Sequence, residues 1–126
     1  MAYGIPVLDI SLEAVADLQT NQYLFIVVDG DGLAALAGDG EPAIGVLQNK
    51  PGEATDEEGE AASVRVYGVS KVVAGETIAP GEEVASDGNS KAKVAGSGDR
   101  VCGVALLGGE VDEIISILIY HGPELA

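Results

Sequence analysis

The segment Ala62–Ala95, ASVRVYGVSKVVAGETIAPGEEVASDGNSKAKVA, leaves few folds open. Its apolar residues come in short runs, cut by Ala79-Pro80-Gly81 and Asp87-Gly88-Asn89. Those breaks hold residues that tight turns use. Proline pre-sets φ, glycine reaches positive φ, and Asp or Asn bonds its own backbone. No apolar stripe recurs at three- and four-residue spacing, so a helix would have no face to bury. The segment predicts strands joined by turns, and the flanking sequence follows the same grammar.

Ile5–Ile10 reads as a short edge strand or an extended arm, because Pro6 lacks the N–H that a central strand needs. Ser11, followed by Leu12, Val15 and Leu18, predicts one or two helical turns with Ser11 as N-cap. Residues 1–16 are therefore an N-terminal arm or short helix. Residues 17–121 form a single β domain, and 122–126 a loose tail. Strands are predicted at Gln22–Asp29, Leu33–Ala37, Ala43–Gln48, Val64–Val73, Glu83–Ala85, Lys91–Val94, Arg100–Leu107 and Asp112–Tyr120, with a short one at Thr77-Ile78. Two of these, Gln22–Asp29 and Asp112–Tyr120, are apolar on both faces, which places them centrally or against another subunit. Gly68 marks a bulge or a close contact. Lys50–Gly59 (KPGEATDEEG) is polar and acidic and reads as part of an exposed loop over residues 50–60. The fold class expected is mainly β: a small, β-tulip-like barrel or sandwich with at most one short N-terminal helix.

At 126 residues the chain suits one domain with one core. Aromatics are 4% of it, so Val, Ile, Leu and Ala must build that core. With 21 acidic against 6 basic residues the net charge is −15. This argues against nucleic acid and against an anionic membrane as partners, since both are bound through Lys and Arg clusters. No positive n-region or membrane-length apolar run is present. Cys102, the sole cysteine, has no partner for an internal disulfide.

No residue set for catalysis assembles. Asp29-Gly30-Asp31-Gly32 and Asp87-Gly88-Asn89 resemble fragments of calcium loops, but the twelve-residue ligand series is missing, and plain turns are the better reading. His121 reads as a strand-end surface residue and Cys102 as a small core residue. Ser70 and Lys71 are adjacent on a strand, so their side chains point to opposite faces and do not form a dyad. No phosphate loop or raised-pKa carboxylate pair stands out. The expectation is a protein without enzymatic activity, cofactor or metal.

The phrases AIGVLQNKPGE (Ala43–Glu53), VRVYGVSKVVAGETIAPGEEVASDGNSKA (Val64–Ala92) and GDRVCGVAL (Gly98–Leu106) resemble the small capsid decoration, or cement, proteins of bacteriophages, often grouped as a domain of unknown function. The likeness runs from about Asp17 to Ile119. It implies a structural virion protein on the outer surface of the capsid, made in the host cytoplasm. It further implies a homotrimer at three-fold or quasi-three-fold positions that bridges major capsid proteins and stabilises the shell. The major capsid protein and further copies of the chain are then the partners. Ile5, Pro6, Val7, Leu8 and Ile10 are the candidate capsid or subunit contacts, as an arm that adds a strand to a neighbouring sheet. The competing reading is a ligand- or carbohydrate-binding β module for host adhesion, which would ordinarily show Trp or Tyr platforms; this chain has no Trp and four Tyr.

Overall fold

The computed structural model describes residues 2–52 and 60–126. Most of the expected acidic loop, residues 53–59, lies outside them. The described chain is all β. Its strands are β1 (Ile5–Glu13), β2 (Phe25–Val28), β3 (Ala34–Leu36), β4 (Gly45–Leu47), β5 (Ala61–Val73), β6 (Glu83–Ser86), β7 (Ala92–Val94), β8 (Gly103–Leu107) and β9 (Ile114–Ile119). They form one antiparallel sheet in the order β3-β2-β4-β5-β9-β8-β6-β7, with β1 also paired to β5. This is the small β-barrel or sandwich class that the sequence predicts.

The sheet is built from one unit used twice. The strands β2, β3 and β4 recur as β6, β7 and β8 at a constant step of 58 residues, from Phe25 to Glu83, Ala34 to Ala92 and Gly45 to Gly103. The hydrogen bonds recur with them. Tyr23 N–H bonds Leu47 O as Gly81 N–H bonds Ala105 O, and Ile44 N–H bonds Ile26 O as Cys102 N–H bonds Val84 O. Positive φ recurs at Tyr23 and Gly81, Gly32 and Ser90, and Gly40 and Gly98. The first strands match as well. Glu13 pairs with Ala61 and Leu12 with Ala62, just as Val73 pairs with Ile114 and Val72 with Ile115. So β5 does two jobs: residues 61–65 close the first unit, and residues 65–73 open the second.

Two apolar clusters follow from this. Ala14, Leu18, Ile26, Ala34, Leu47, Ala62, Val64 and Val66 fill the first unit. The second cluster includes Val72, Val84, Ala92, Ala105, Ile115, Ile117 and Ile119, and also takes in Phe25 and Val46 from the first unit. Neighbouring residues of β2 and β4 thus serve different cores: Phe25 and Val46 one, Ile26 and Leu47 the other. Burial on both faces explains the two-sided apolar run at Gln22–Asp29.

Three expectations change. Ser11 does not cap a helix. Ser11 pairs with Ser63 inside β1, and Ile10, Leu12 and Ala14 turn inward while Asp9, Ser11 and Glu13 stay exposed. A two-residue period with a β5 edge to pair against wins over a weak helical spacing too short to stand alone. The tail is not loose. Gly122 and Leu125 N–H bond Val101 and Asp99 O, and Gly98 N–H bonds Leu125 O. Thr77-Ile78 supplies only an isolated bridge, from Ile78 to Gly109.

Candidate interaction surface

Six of the described carboxylates close turns. Asp29 Oδ1 accepts the N–H groups of Asp31 and Leu33, both at 2.9 Å. Asp87 Oδ1 does the same for Asn89 and Lys91, at 2.7 and 3.0 Å. Each closes a five-residue loop by bonding its own backbone, which is why these stretches resemble ligand loops without being them. A second kind of turn sets the acid three residues on. Glu41, Glu82, Asp99 and Glu113 accept from Gly38, Ala79, Gly96 and Glu110 respectively. Among the described residues no group of three His, Cys, Asp or Glu is placed to hold a metal.

The residues weighed for chemistry are occupied locally. Ser70 is fully buried, accepts from Gln48 Nε2 at 2.8 Å and donates to Lys71 O. His121 Nε2 donates to Val66 O at 2.8 Å, and its ring meets Tyr67 edge-on at 5.2 Å. Cys102 is buried, and burial pushes its thiol pKa up, away from the reactive thiolate. An open cleft of about 720 Å³ is lined by Thr20, Asn21, Glu41, Asn89, Ser90 and Lys91 among others; there Ser90 Oγ donates to Ala37 O at 2.6 Å and the Glu41 carboxylate accepts from Gly38 N–H.

What the fold does assemble is an apolar surface. Strand register puts Ile5, Val69, Leu118 and Val104 in one row across β1, β5, β9 and β8, ending at Glu83 on β6. Directly opposed residues share a face. Tyr67 with Leu8 lies on the same side in the adjacent row, and Val73 with Ile114 two rows the other way, beyond Lys71 and Ser116. Ile5, Leu8, Tyr67, Ile114, Leu118 and Tyr120 are all exposed. On the outward side of β9, Ile114, Leu118 and Tyr120 are exposed, whereas Ile115, Ile117 and Ile119 are in the core. A set of exposed apolar residues on one face of so acidic a chain, interrupted by Lys71, is the kind of surface that marks a contact site.

The N-terminal segment runs along this surface. Tyr3 N–H donates to Ser116 Oγ at 2.7 Å, and Ser116 Oγ donates back to Tyr3 O at 2.9 Å. That exchange covers Ser116, which is fully buried although it lies on the outward face. Arg65 grips Asp9 through Nε and Nη2, at 2.8 and 3.2 Å, and reaches Val69 O. Of the five contacts proposed from sequence, Ile5 and Leu8 lie on the apolar face. Pro6 sits opposite Gly68, Val7 bulges into solvent, and Ile10 packs against the first core. Sequence reasoning did not pick out Tyr3, Tyr67, Val104 or Ser116. Alternation shows which residues of β9 share a side, but only the pairing register brings in those of β5 and β8.

No protein-family model matches the chain, and no curated protein matches it. Among solved structures, the fold is shared with a bacteriophage domain at a TM-score of 0.66 and 16% identity, over 93% of this chain and 98% of the other. That domain is the head fiber gp8.5 N base of bacteriophage phi29, seen in its crystal structure.

Proposed function

We propose that this chain is a capsid-associated structural protein of a bacteriophage. It decorates the outside of the shell, bridges major capsid proteins and acts as a homotrimer at three-fold and quasi-three-fold positions. The observation that carries this reading is the fold shared over nearly the whole chain with the phi29 head fiber base. The exposed apolar face supports it as a contact surface. In this reading the chain has no enzymatic activity.

The mechanism is linkage. A protein that binds the assembled shell and not its separated parts stabilises the shell by mass action. Trimer contacts use the face of Ile5, Tyr67, Leu118 and Tyr120. The test is cosedimentation with expanded heads that lack the protein, followed by heating. Saturable binding and a higher disruption temperature are expected. Absence of binding overturns the proposal.

A further inference from the structure

The two units diverge at the turn that leads into β2 and β6. Leu18 N–H bonds Pro51 O as Ile78 N–H bonds Gly109 O, both at 2.9 Å, and Leu24 N–H bonds Asn21 O as Glu82 N–H bonds Ala79 O. Leu18 thus answers to Ile78, and Asn21 to Ala79. Ile78 and Ala79 are adjacent, but Gln19 and Thr20 stand between Leu18 and Asn21, so the first unit carries two extra residues. Its turn is also tied less tightly. Gly109 N–H returns a bond to Ile78 O at 3.0 Å, whereas Pro51 has no N–H to return. Further along the turn, Tyr23 takes φ +67° where the second unit has Gly81 at +88°. Glycine adopts that conformation freely, and a bulky residue there is strained. Backbone strain of this kind clusters at ligand sites.

Both departures meet at one pocket of about 370 Å³. Gln19, Thr20, Gln22, Tyr23 and Lys50 line it, and Val73 and Ile114 give it apolar surface. Its size is that of a small-ligand site. The polar groups are of mixed kind. Gln22 Nε2 donates to Gln48 O at 2.8 Å, which leaves its Oε1 as an acceptor, while the Thr20 hydroxyl both donates and accepts. Positive charge gathers here too. Arg65, Lys91 and Lys93 are ion-paired, but Lys50 and Lys71 have no carboxylate partner among the described residues. Lys71 Nζ lies 5.8 Å from the centre of the Tyr23 ring.

We propose that this pocket binds an acidic saccharide, a sugar ring that carries a carboxylate. The aromatic ring and apolar side chains suit the C–H faces of a sugar. The amides and hydroxyl suit its hydroxyl groups, and the two lysines suit the carboxylate. A bare carboxylate from a partner protein would use the lysines alone and leave the inserted Gln19-Thr20 without a task. The pocket adjoins the Val73–Ile114 row, two rows from Leu118, so saccharide binding there does not depend on the capsid contacts proposed above.

The test is an amide NMR titration of the full chain with glucuronate, galacturonate and N-acetylneuraminate, beside glucose and acetate. At least one acidic sugar is expected to bind saturably, with Kd of about 1 mM, and to shift the amides of residues 19–23. Glucose and acetate are each expected to bind at least about fivefold more weakly. Lys50→Gln is expected to weaken the acidic sugar about fivefold and glucose not at all. Deleting Gln19 and Thr20 gives the first unit the turn length of the second, and is expected to keep the fold and abolish the shifts. If the shortened chain does not fold, Lys50→Gln decides. No saturable binding by any of the three acids overturns the proposal. Acetate that binds as tightly as the acidic sugars shows a carboxylate site only, and also overturns it. Binding untouched by Lys50→Gln puts the ligand elsewhere, with the same consequence.

Discussion

Pro6 and Gly68 face each other across the β1–β5 ladder, and each suits a place where the ladder is irregular. The register slips between Pro6 and Leu8, so Val7 is left over as a bulge. Proline is tolerated at bulges because it has no N–H to give the ladder. Opposite it, Gly68 has φ +113°, and a Cβ there would run into Ile5 O and lie 2.8 Å from Val7 N. Gly68→Ala is therefore expected to destabilise the fold by about 1–3 kcal/mol through backbone strain alone. A lowered urea midpoint at unchanged slope would show it.

The Tyr3–Ser116 exchange makes a local prediction. Ser116→Ala removes both the acceptor of Tyr3 N–H and the donor to Tyr3 O. A loss of about 1–2 kcal/mol is expected for a buried pair of this kind. Amide exchange at residues 3–5 should rise much more than exchange in β9. An even rise through the sheet would mean that the exchange does not hold the N-terminal segment in place.

The two Asp loops should respond alike. Asp29→Ala and Asp87→Ala each strip one carboxylate oxygen from two backbone N–H groups in equivalent loops. Each is expected to cost about 1–2 kcal/mol in thermal or urea unfolding. Costs that differ several-fold would show that the loops, though built alike, do not bear equally on stability.

Asp99 gives the chain an acid-sensitive joint. It is nearly buried, and its Oδ2 accepts Gly96 N–H at 2.8 Å and lies 3.1 Å from Lys93 Nζ. Burial alone would raise its pKa, but the Gly96 N–H and the Lys93 ammonium outweigh that and hold it below the usual aspartate value. A depressed carboxylate stabilises the fold above its unfolded pKa, and that share is lost as pH falls through the folded one. Lys93, raised chiefly by its bond to Asp39, keeps its share until far into the alkaline range. Melting temperature should thus fall more steeply below about pH 4 in the native chain than in Asp99→Asn. Parallel curves for the two would contradict this.

Much of the strand and turn pattern was readable in the residues. Glycine, proline and Asp mark turns because the backbone conformation demands them, whatever surrounds the turn. The N-terminal strand was misread at Ser11 because its partner, Ala61–Ser63, lies far along the chain, and a local spacing rule cannot see it. The doubled unit was also present in the text. Asp29-Gly30 and Asp87-Gly88, Ala37-Gly38 and Ala95-Gly96, and Gly45-Val46 and Gly103-Val104 all stand 58 residues apart. It stayed hidden because packing positions diverge. Phe25, buried between the units, has become the exposed Glu83, while Leu47 has become Ala105, which stays buried in the second core. The apolar face could not be assembled without register, which no single strand encodes.

The double use of β5 has a consequence for how the molecule comes apart. Cutting the chain on either side of β5 leaves one unit without its closing strand or the other without its opening one. Neither half can keep its own hydrogen-bond ladder complete. The two copies of the unit, separable on paper, are therefore expected to melt together, and a shell contact made on one is backed by the stability of both.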